Sequence, residues 1–421
     1  MRALDGVRIL DLTRLLPGAY ATLLLADLGA DVIKLEDPRG GDHARRMPPL
    51  ADGTSVYFQV LNRNKRSVTL DLRSGEAGPV LDALLSTCDV MVDSFRPRTA
   101  VRLGLDSTAL RARHPRLICA SISGFGHTGP YADRAAHDIN YEALVGLLTV
   151  ANREVTNDQR KGPAFARWES SELRPGKREG REGGTTRVLA AHGDASTARE
   201  PQVPRLLVAD IGAAMHAAAG ILAALFQRER TGQGAFVEIS IHEAALSWML
   251  FPGAPALVGG AHDDHGEVPL TGEAACYTVY ATADDQYLAL GALEPKFWTG
   301  FCERIGRPDL ASRQAAPGGD RARVLADVRA VMRTRTRDEW LAVFADADVC
   351  LTPVRTLEEA LTDPHLAERG AIVRAGGVTC LGAHRLDIRP APALGADTDA
   401  VLEEAGIDAA ERVHLRARHV L

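Results

Sequence analysis

The 421-residue sequence has no CxxC pair and no Cys/His cluster at metal-ligand spacing. Its six cysteines, Cys88, Cys119, Cys276, Cys302, Cys350 and Cys380, stand singly. That scatter argues against a disulfide framework and against a structural zinc site. Lysine is scarce, with 5 Lys against 44 Arg among the 49 basic residues. Arg offers a planar fork for phosphate and carboxylate, but such a bias can equally follow genome base composition. A net charge of −6 removes nucleic acid and anionic membranes as partners of the chain as a whole. The N-terminus, with Arg2, Asp5 and Arg8 in its first turns, is not that of a signal peptide. The longest apolar stretch, Leu206–Phe226, is broken by Asp210 and His216, which reads as a buried helix rather than a membrane span. Neither internal repeats nor low-complexity tracts are present, and the cytoplasm is the expected location.

What remains is an ordinary globular composition, 46% hydrophobic and 25% charged, on a chain long enough for two or three domains. Short apolar runs rich in β-branched residues predict strands at Val7–Leu12, Asp31–Leu35, Ser67–Leu72, Val90–Val92 and Leu117–Ser123. Helical patterns at Gly18–Leu28 and Gly75–Ser86 fall between some of them, the first preceded by Pro17 and ended by Gly29. This alternation predicts an α/β fold with a mostly parallel sheet. Ligands of such sheets lie beyond the carboxyl ends of the strands, in the loops after Leu12, Leu35, Asp93 and Ser123. From Asn152 to Gln202 the pattern fails: 51 residues carry ten Lys/Arg, eight Asp/Glu and six Gly, as a solvated insertion or an active-site lid would. A long apolar helix from Ile211 to about Arg228, a strand at Ala235–Ser240 and a helix from His242 to about Phe251 follow. The Gly- and Pro-bearing stretch Pro252–Gly272 reads as a linker. A second unit then has strands at Cys276–Tyr280 and Gln286–Leu290 and helices near Lys296–Ile305 and Ala322–Met332, with a further helix at Leu357–Leu361.

Phosphate-cradle motifs do not fit. Gly124-Phe125-Gly126-His127-Thr128-Gly129 follows a strand, but Pro130 and the irregular run after it open no helix, and GxxxxGK[ST] does not occur. Three polar positions draw attention instead. His137 adjoins Asp138, an arrangement that equally suits a hydrogen-bonded structural histidine. Asp210 precedes Ile211-Gly-Ala-Ala at the expected N-cap of the apolar helix, where a capping role worth about 1 kcal/mol competes with a role in anion chemistry. Glu294 lies between a strand and a helix. These residues alone define an enzyme-like α/β chain and no reaction.

Taken together, three segments are more specific. Ala136-His-Asp-Ile-Asn-Tyr141, Leu207-Val-Ala-Asp210 and Gly291-Ala-Leu-Glu-Pro-Lys-Phe297 resemble the active-site segments of the 2-methylacyl-CoA racemases, in the family III CoA-transferase superfamily. Leu4–Leu12, Pro17-Gly18, Leu25–Lys34, Asn64–Val68, Phe95-Arg96-Pro97, Arg228–Gly234 and Asp363-Pro364-His365 are similar to further signatures of that superfamily. The resemblance covers residues 1 to about 375, the insertion excepted.

The resemblance implies a large Rossmann-like parallel-sheet domain, a smaller α+β domain, and an interlocked homodimer with each site between the large domain of one subunit and the small domain of the other. The divisions it suggests are residues 1–228 for the CoA-binding domain with its insertion at about 152–202, 229–272 for linker helices, 273–353 for the small domain, and 354–421 for a segment returning to the large domain. His137 and Asp210 then face opposite sides of a substrate α-carbon, and Glu294 orients His137. Racemisation needs such a pair, one base per face, around an enolate next to a thioester. CoA contacts are implied for Arg39, Leu70, Leu72, Phe95, Arg96, Arg102 and Tyr141; Arg39 is the nearest substitute for a family Arg replaced here by Asp37. No metal and no prosthetic group is implied, CoA entering as part of an acyl-CoA substrate. In the transferase branch the aspartate matching Asp210 is instead a nucleophile carrying CoA as a thioester. That branch generally lacks the histidine and glutamate present here and shields its intermediate with a Gly-rich loop, matched only thinly by Gly259-Gly260 and Gly266. A catalytically silent CoA-binding protein is the third alternative.

Overall fold

The structure, a computed structural model, describes residues 2–150, 203–254, 274–316, 318–375, 378–381 and 388–421, with residues 270 and 272. The expected insertion at 152–202 and most of the 252–272 linker fall outside these residues.

Alternating strands and helices build the sheet that the sequence pattern predicts. Its members are β1 (Arg8–Asp11), β2 (Asp31–Glu36), β5 (Arg66–Thr69), β6 (Val90–Asp93), β7 (Ile118–Ser123) and β8 (Phe236–Ser240), a small hairpin of β3 (Leu50–Ala51) and β4 (Thr54–Ser55) intervening. They run in the order β5-β2-β1-β6-β7-β8, and every pairing is parallel. Because side chains alternate along each strand, the sheet buries two apolar faces. Ile9, Val32, Val90, Val92, Ile118, Ala120 and Ile122 point to one. Leu10, Ile33, Val68, Met91 and Cys119 point to the other.

On the first face lie the helices Gly18–Asp27 and Val208–Thr231. The second helix presents Ala209, Ala213, Ala214 and Ala217, all fully buried, so its backbone comes close to its neighbours. Gly212 permits the same closeness, since a Cβ there would meet Trp248 Nε1 at 2.5 Å. The helix ends at Gly232, whose φ of 72° lets its N–H return to the Arg228 carbonyl. Long and apolar enough to cross a membrane by length and composition alone, it is here packed against the sheet. β8 and the helix Ile241–Ser247 join the same core. On the second face lie Ala77–Ser86 and the C-terminal helices Thr398–Glu404 and Ala409–Ala417, which bring Val401, Leu402, Leu415 and Val420 into the core.

A separate apolar core gathers around an antiparallel sheet of β9 (Tyr277–Ala281), β10 (Tyr287–Gly291) and β11 (Leu351–Pro353). Trp298, Phe301, Trp340 and Phe344 fill it, so half-buried strand faces are covered by aromatic helices. A last hairpin joins β12 (Ile372–Ala375) to β13 (Val378–Leu381).

Strand order reverses between β1 and β6, which places the ligand crevice outside their carboxyl ends. Beneath the loop after β1 is a buried charge network. Asp11 accepts hydrogen bonds from Thr13 N–H and Oγ, Thr22 Oγ and Lys65 Nζ, at 2.6–3.1 Å. Lys34 Nζ donates to the Thr13 carbonyl at 2.9 Å and pairs with Asp42 at 3.0 Å. Burial works to raise the Asp11 carboxyl, but Lys65 and Lys34 outweigh it and hold it at about 2. The loop is therefore fixed from below by charges with no access to water.

Candidate active site

At the carboxyl end of β7 the chain passes through Gly124–Pro130 and enters the short helix Asp138–Leu144. His137 is its N-cap residue and is exposed; its backbone N–H donates to Asn140 Oδ1 at 2.9 Å. Asp138 and Glu142 stand four residues apart, one turn along the same face, and both are buried. That face meets the start of Val208–Thr231.

Here the sequence expectation needs correction. Asp210 is not the N-cap of the long helix. Leu207 is, and Asp210 is the third helical residue. Leu207 has no capping side chain, so the orphan N–H groups of the first turn are satisfied from the neighbouring helix. Val208 N–H donates to Glu142 Oε1 at 3.3 Å, and Asp210 N–H donates to Asp138 Oδ1 at 2.9 Å. The neighbouring helix does the capping, leaving the half-buried Asp210 carboxyl without a hydrogen bond of its own among the described residues. Burial first, and the Asp138 charge second, push it up to about 7. Glu142 is also pushed up to about 7, by burial and then by Asp138. Its Oε2 is buried and receives no donor. Two adjoining buried carboxyls are both satisfied only when one carries a proton. Asp138 and Glu142 thus belong to the site, although the sequence offered Asp138 only as the neighbour of His137 and did not single out Glu142. Their i, i+4 spacing on an otherwise apolar face was the available signal.

Tyr141 closes the group. Its hydroxyl donates to the Ala136 carbonyl at 3.3 Å, and its ring meets Phe125 edge-on at 5.3 Å. A Cβ on Gly124 would lie 2.4 Å from that hydroxyl, so glycine is needed for the contact. Burial and the nearby Asp210 push the phenol up to about 12, against the opposing pull of Arg96, so it remains a proton donor.

The other expected site residues are distributed around this centre. Arg96 is the N-cap of Pro97–Arg102, and both Arg96 and Arg102 are exposed. Phe95 is half-buried, with the Arg14 guanidinium 5.5 Å over its ring. Leu70 is fully buried and Leu72 partly so, beyond the end of β5. Arg39 is exposed but engaged, pairing with Asp37 at 3.1 Å and with Asp71 at 2.6 Å. Glu294 is the exposed N-cap residue of Pro295–Arg304 beside the three-stranded sheet. Among the described residues no hydrogen bond joins it to His137. One chain therefore brings Tyr141 and Asp210 together beside the helix that His137 caps, whereas Glu294 stands on another element, at the start of Pro295–Arg304.

The sequence matches CoA-transferase family III over residues 4–169 and 181–398. It is 29% identical to the human protein named alpha-methylacyl-CoA racemase, over 100% of this chain and 97% of that one. It is 31% identical to a succinyl-CoA–D-citramalate CoA-transferase of Chloroflexus aurantiacus, over 88% of this chain and 83% of the relative. Among solved structures, a CAIB/BAIF family protein from Brucella suis superposes with a TM-score of 0.74 at 26% identity, covering 96% of this chain and 99% of its own.

Proposed function

The chain belongs to CoA-transferase family III, and from that premise we propose that it is an acyl-CoA racemase or epimerase acting on a 2-methyl-branched acyl-CoA. The observation that carries this reading is the Asp210 carboxyl, spared from capping and poised at about 7 beside the helix that begins with His137. A group with that affinity exists in both protonation states near neutral pH, as a base that must also return a proton requires. In one direction the His137 imidazole takes the α-proton, leaving an enolate thioester, and protonated Asp210 delivers a proton to the opposite face. The products are the inverted acyl-CoA, an imidazolium and a carboxylate; the reverse turnover restores both. The Tyr141 hydroxyl stays protonated at the same locus, available to the thioester end. Arg96 and Arg102, exposed on one short helix, suit the CoA phosphates; Phe95, Leu70 and Leu72 supply apolar surface, and Arg39 an edge guanidinium. No metal or prosthetic group enters this reading.

Glu294 completes the site from a second copy. This part of the proposal is supported by the lack, among the described residues, of a hydrogen bond between Glu294 and His137 and by an apolar row left uncovered: Met215, Leu222 and Phe226 on the long helix, then Trp248, Leu250 and Phe251, all at least 36% exposed. A homodimer in the cytoplasm, without nucleic acid or membrane partners, is the assembly proposed.

The second reading, transfer of CoA to a free acid through an Asp210 thioester, is favoured by the same unbonded carboxyl. Incubation of the enzyme with 2-methylacyl-CoA in deuterated water separates the two. Racemisation predicts deuterium at the α-carbon and interconversion of epimers, lost in His137→Ala. Transfer without α-exchange, with a hydroxamate formed at Asp210 in hydroxylamine, would replace the racemase reading.

A further inference from the structure

The opposite face of the large sheet carries a cavity of about 320 Å³, beneath the helix Pro97–Arg102. Asp93 at the end of β6, Ser121 on β7 and His127 in the Gly124–Pro130 loop line it, as do Ser107 and the half-buried Asp106, whose Oδ1 accepts from Ala109 N–H at 2.8 Å. Met91, Leu105 and Phe236 are among its apolar walls. Neither Asp210, His137 and Tyr141 nor the phosphate-facing candidates Arg96 and Arg102 line it. Met91 and Leu105 belong to the core on the far side of the sheet from the helix that carries Asp210.

Asp93 is the unusual member. It is 2% exposed, and its Oδ1 accepts from Phe95 N–H at 3.0 Å and from Ser121 Oγ at 3.3 Å. His127 Nε2 lies 2.9 Å from the same Ser121 oxygen. Ser121 has one proton; when it gives that to Asp93, the imidazole must donate to Ser121, so the three groups form one directed chain. Among the described residues Oδ2 accepts no hydrogen bond and no cation pairs with Asp93. Burial, with no positive charge to offset it, pushes the carboxyl up to about 7. Arg98, which also lines the cavity, is spoken for: its side chain is 88% exposed and pairs with Asp133 at 2.7 Å.

A largely apolar cavity in which the buried Asp93 carboxylate has no cation partner among the described residues, with Asp106 adding negative charge, complements a ligand that brings its own positive charge. A carboxylic acid would set two like charges together, and an alcohol could donate a hydrogen bond but would leave the charge unmatched. We propose that this cavity binds a small organic amine, its ammonium group on Asp93 Oδ2 and its apolar body against Met91, Leu105 and Phe236. The proposal is independent of which acyl-CoA reaction the enzyme performs. It gives a role to the glycine-rich Gly124–Pro130 loop, whose His127 closes the cavity ten residues before His137.

Benzylamine and its near-isostere benzyl alcohol are the probes. Titrated into the full-length protein with isotope-labelled histidine, benzylamine is expected to shift the His127 ring resonances saturably and to bind roughly tenfold or more tightly than the alcohol, as a charge-assisted contact requires. Asp93→Asn should reduce the amine to the affinity of the alcohol, whereas Asp210→Asn should leave it unchanged. Equal affinity for amine and alcohol, or His127 resonances that do not move, would overturn the proposal. So would loss of binding in Asp210→Asn, which would put the amine in the acyl site. The comparison of probes on the unmodified protein decides the matter even where Asp93→Asn does not fold.

Discussion

Asp138 Oδ1 accepts the backbone N–H of Asp210 at 2.9 Å, so one aspartate caps the helix on which the other is displayed. The contact positions Asp210 and also sets its proton affinity, because the Asp138 charge adds to burial in raising it. Removing that charge in Asp138→Asn leaves burial as the remaining cause and should move the Asp210 titration downward from about 7. The acid limb of the rate of α-proton exchange, read as kcat/KM against pH, is expected to shift to lower pH in the variant. An unmoved limb would detach Asp210 from the rate profile.

Glu142 gives the corresponding stability test. Its folded-state affinity, about 7, is above its ordinary 4.5, so the folded protein binds the extra proton. The stabilisation is complete below about 4.5 and is lost as pH rises through about 7. In Glu142→Gln the amide oxygen still accepts from Val208 N–H, and the amide nitrogen can donate to Asp138 without needing a proton from solvent. The variant should match or fall below the wild type at pH near 5 and exceed it at pH near 8 by roughly 1–2 kcal/mol. Urea denaturation at the two values reads the difference; parallel curves for the two proteins would refute the shared proton.

The charge network under the loop after β1 is a different case, since its members are paired. Asp11 and Lys65 are both fully buried and 3.1 Å apart. Asp11→Ala leaves Lys65 with no access to water and without its carboxylate, a change expected to cost about 3–5 kcal/mol. The double substitution Asp11→Ala with Lys65→Met should recover much of that loss. Additive losses in chemical denaturation would show that the two side chains are not coupled.

The large sheet was legible in the sequence because most of its strands are buried on both faces and so stand out as short apolar runs, the half-buried edge strand β8 with its exposed Glu238 excepted: β1, β2, β6, β7 and β8 lie within a residue or two of their predicted limits. β5 is shorter than expected, since pairing with β2 stops at Thr69 and the chain then turns toward Val420. β11, with three residues, and the four-residue strands of the β12–β13 hairpin are too short to be marked by pattern. The site was legible only in part. A sequence shows that Asp210 stands near a helix start, but not that a second helix supplies the cap. Asp138 adjoins His137 in the sequence, and Glu142 was not singled out. Asp93, Ser121 and His127 come from three separate segments, so only tertiary structure joins them.

Glu294 provides the sharpest check on the proposed assembly. His137→Ala and Glu294→Ala should each be nearly inactive in α-exchange when expressed alone. Co-expressed, they form mixed dimers in which one site has lost both groups and the other has both intact, provided that each site draws its histidine and its glutamate from different subunits. Random pairing puts half of the dimers in the mixed form with one of two sites restored, so about a quarter of wild-type exchange should return. A site assembled within one subunit contains a lesion in every combination, and co-expression would then recover nothing. Restored activity would therefore place Glu294 across the dimer interface from His137.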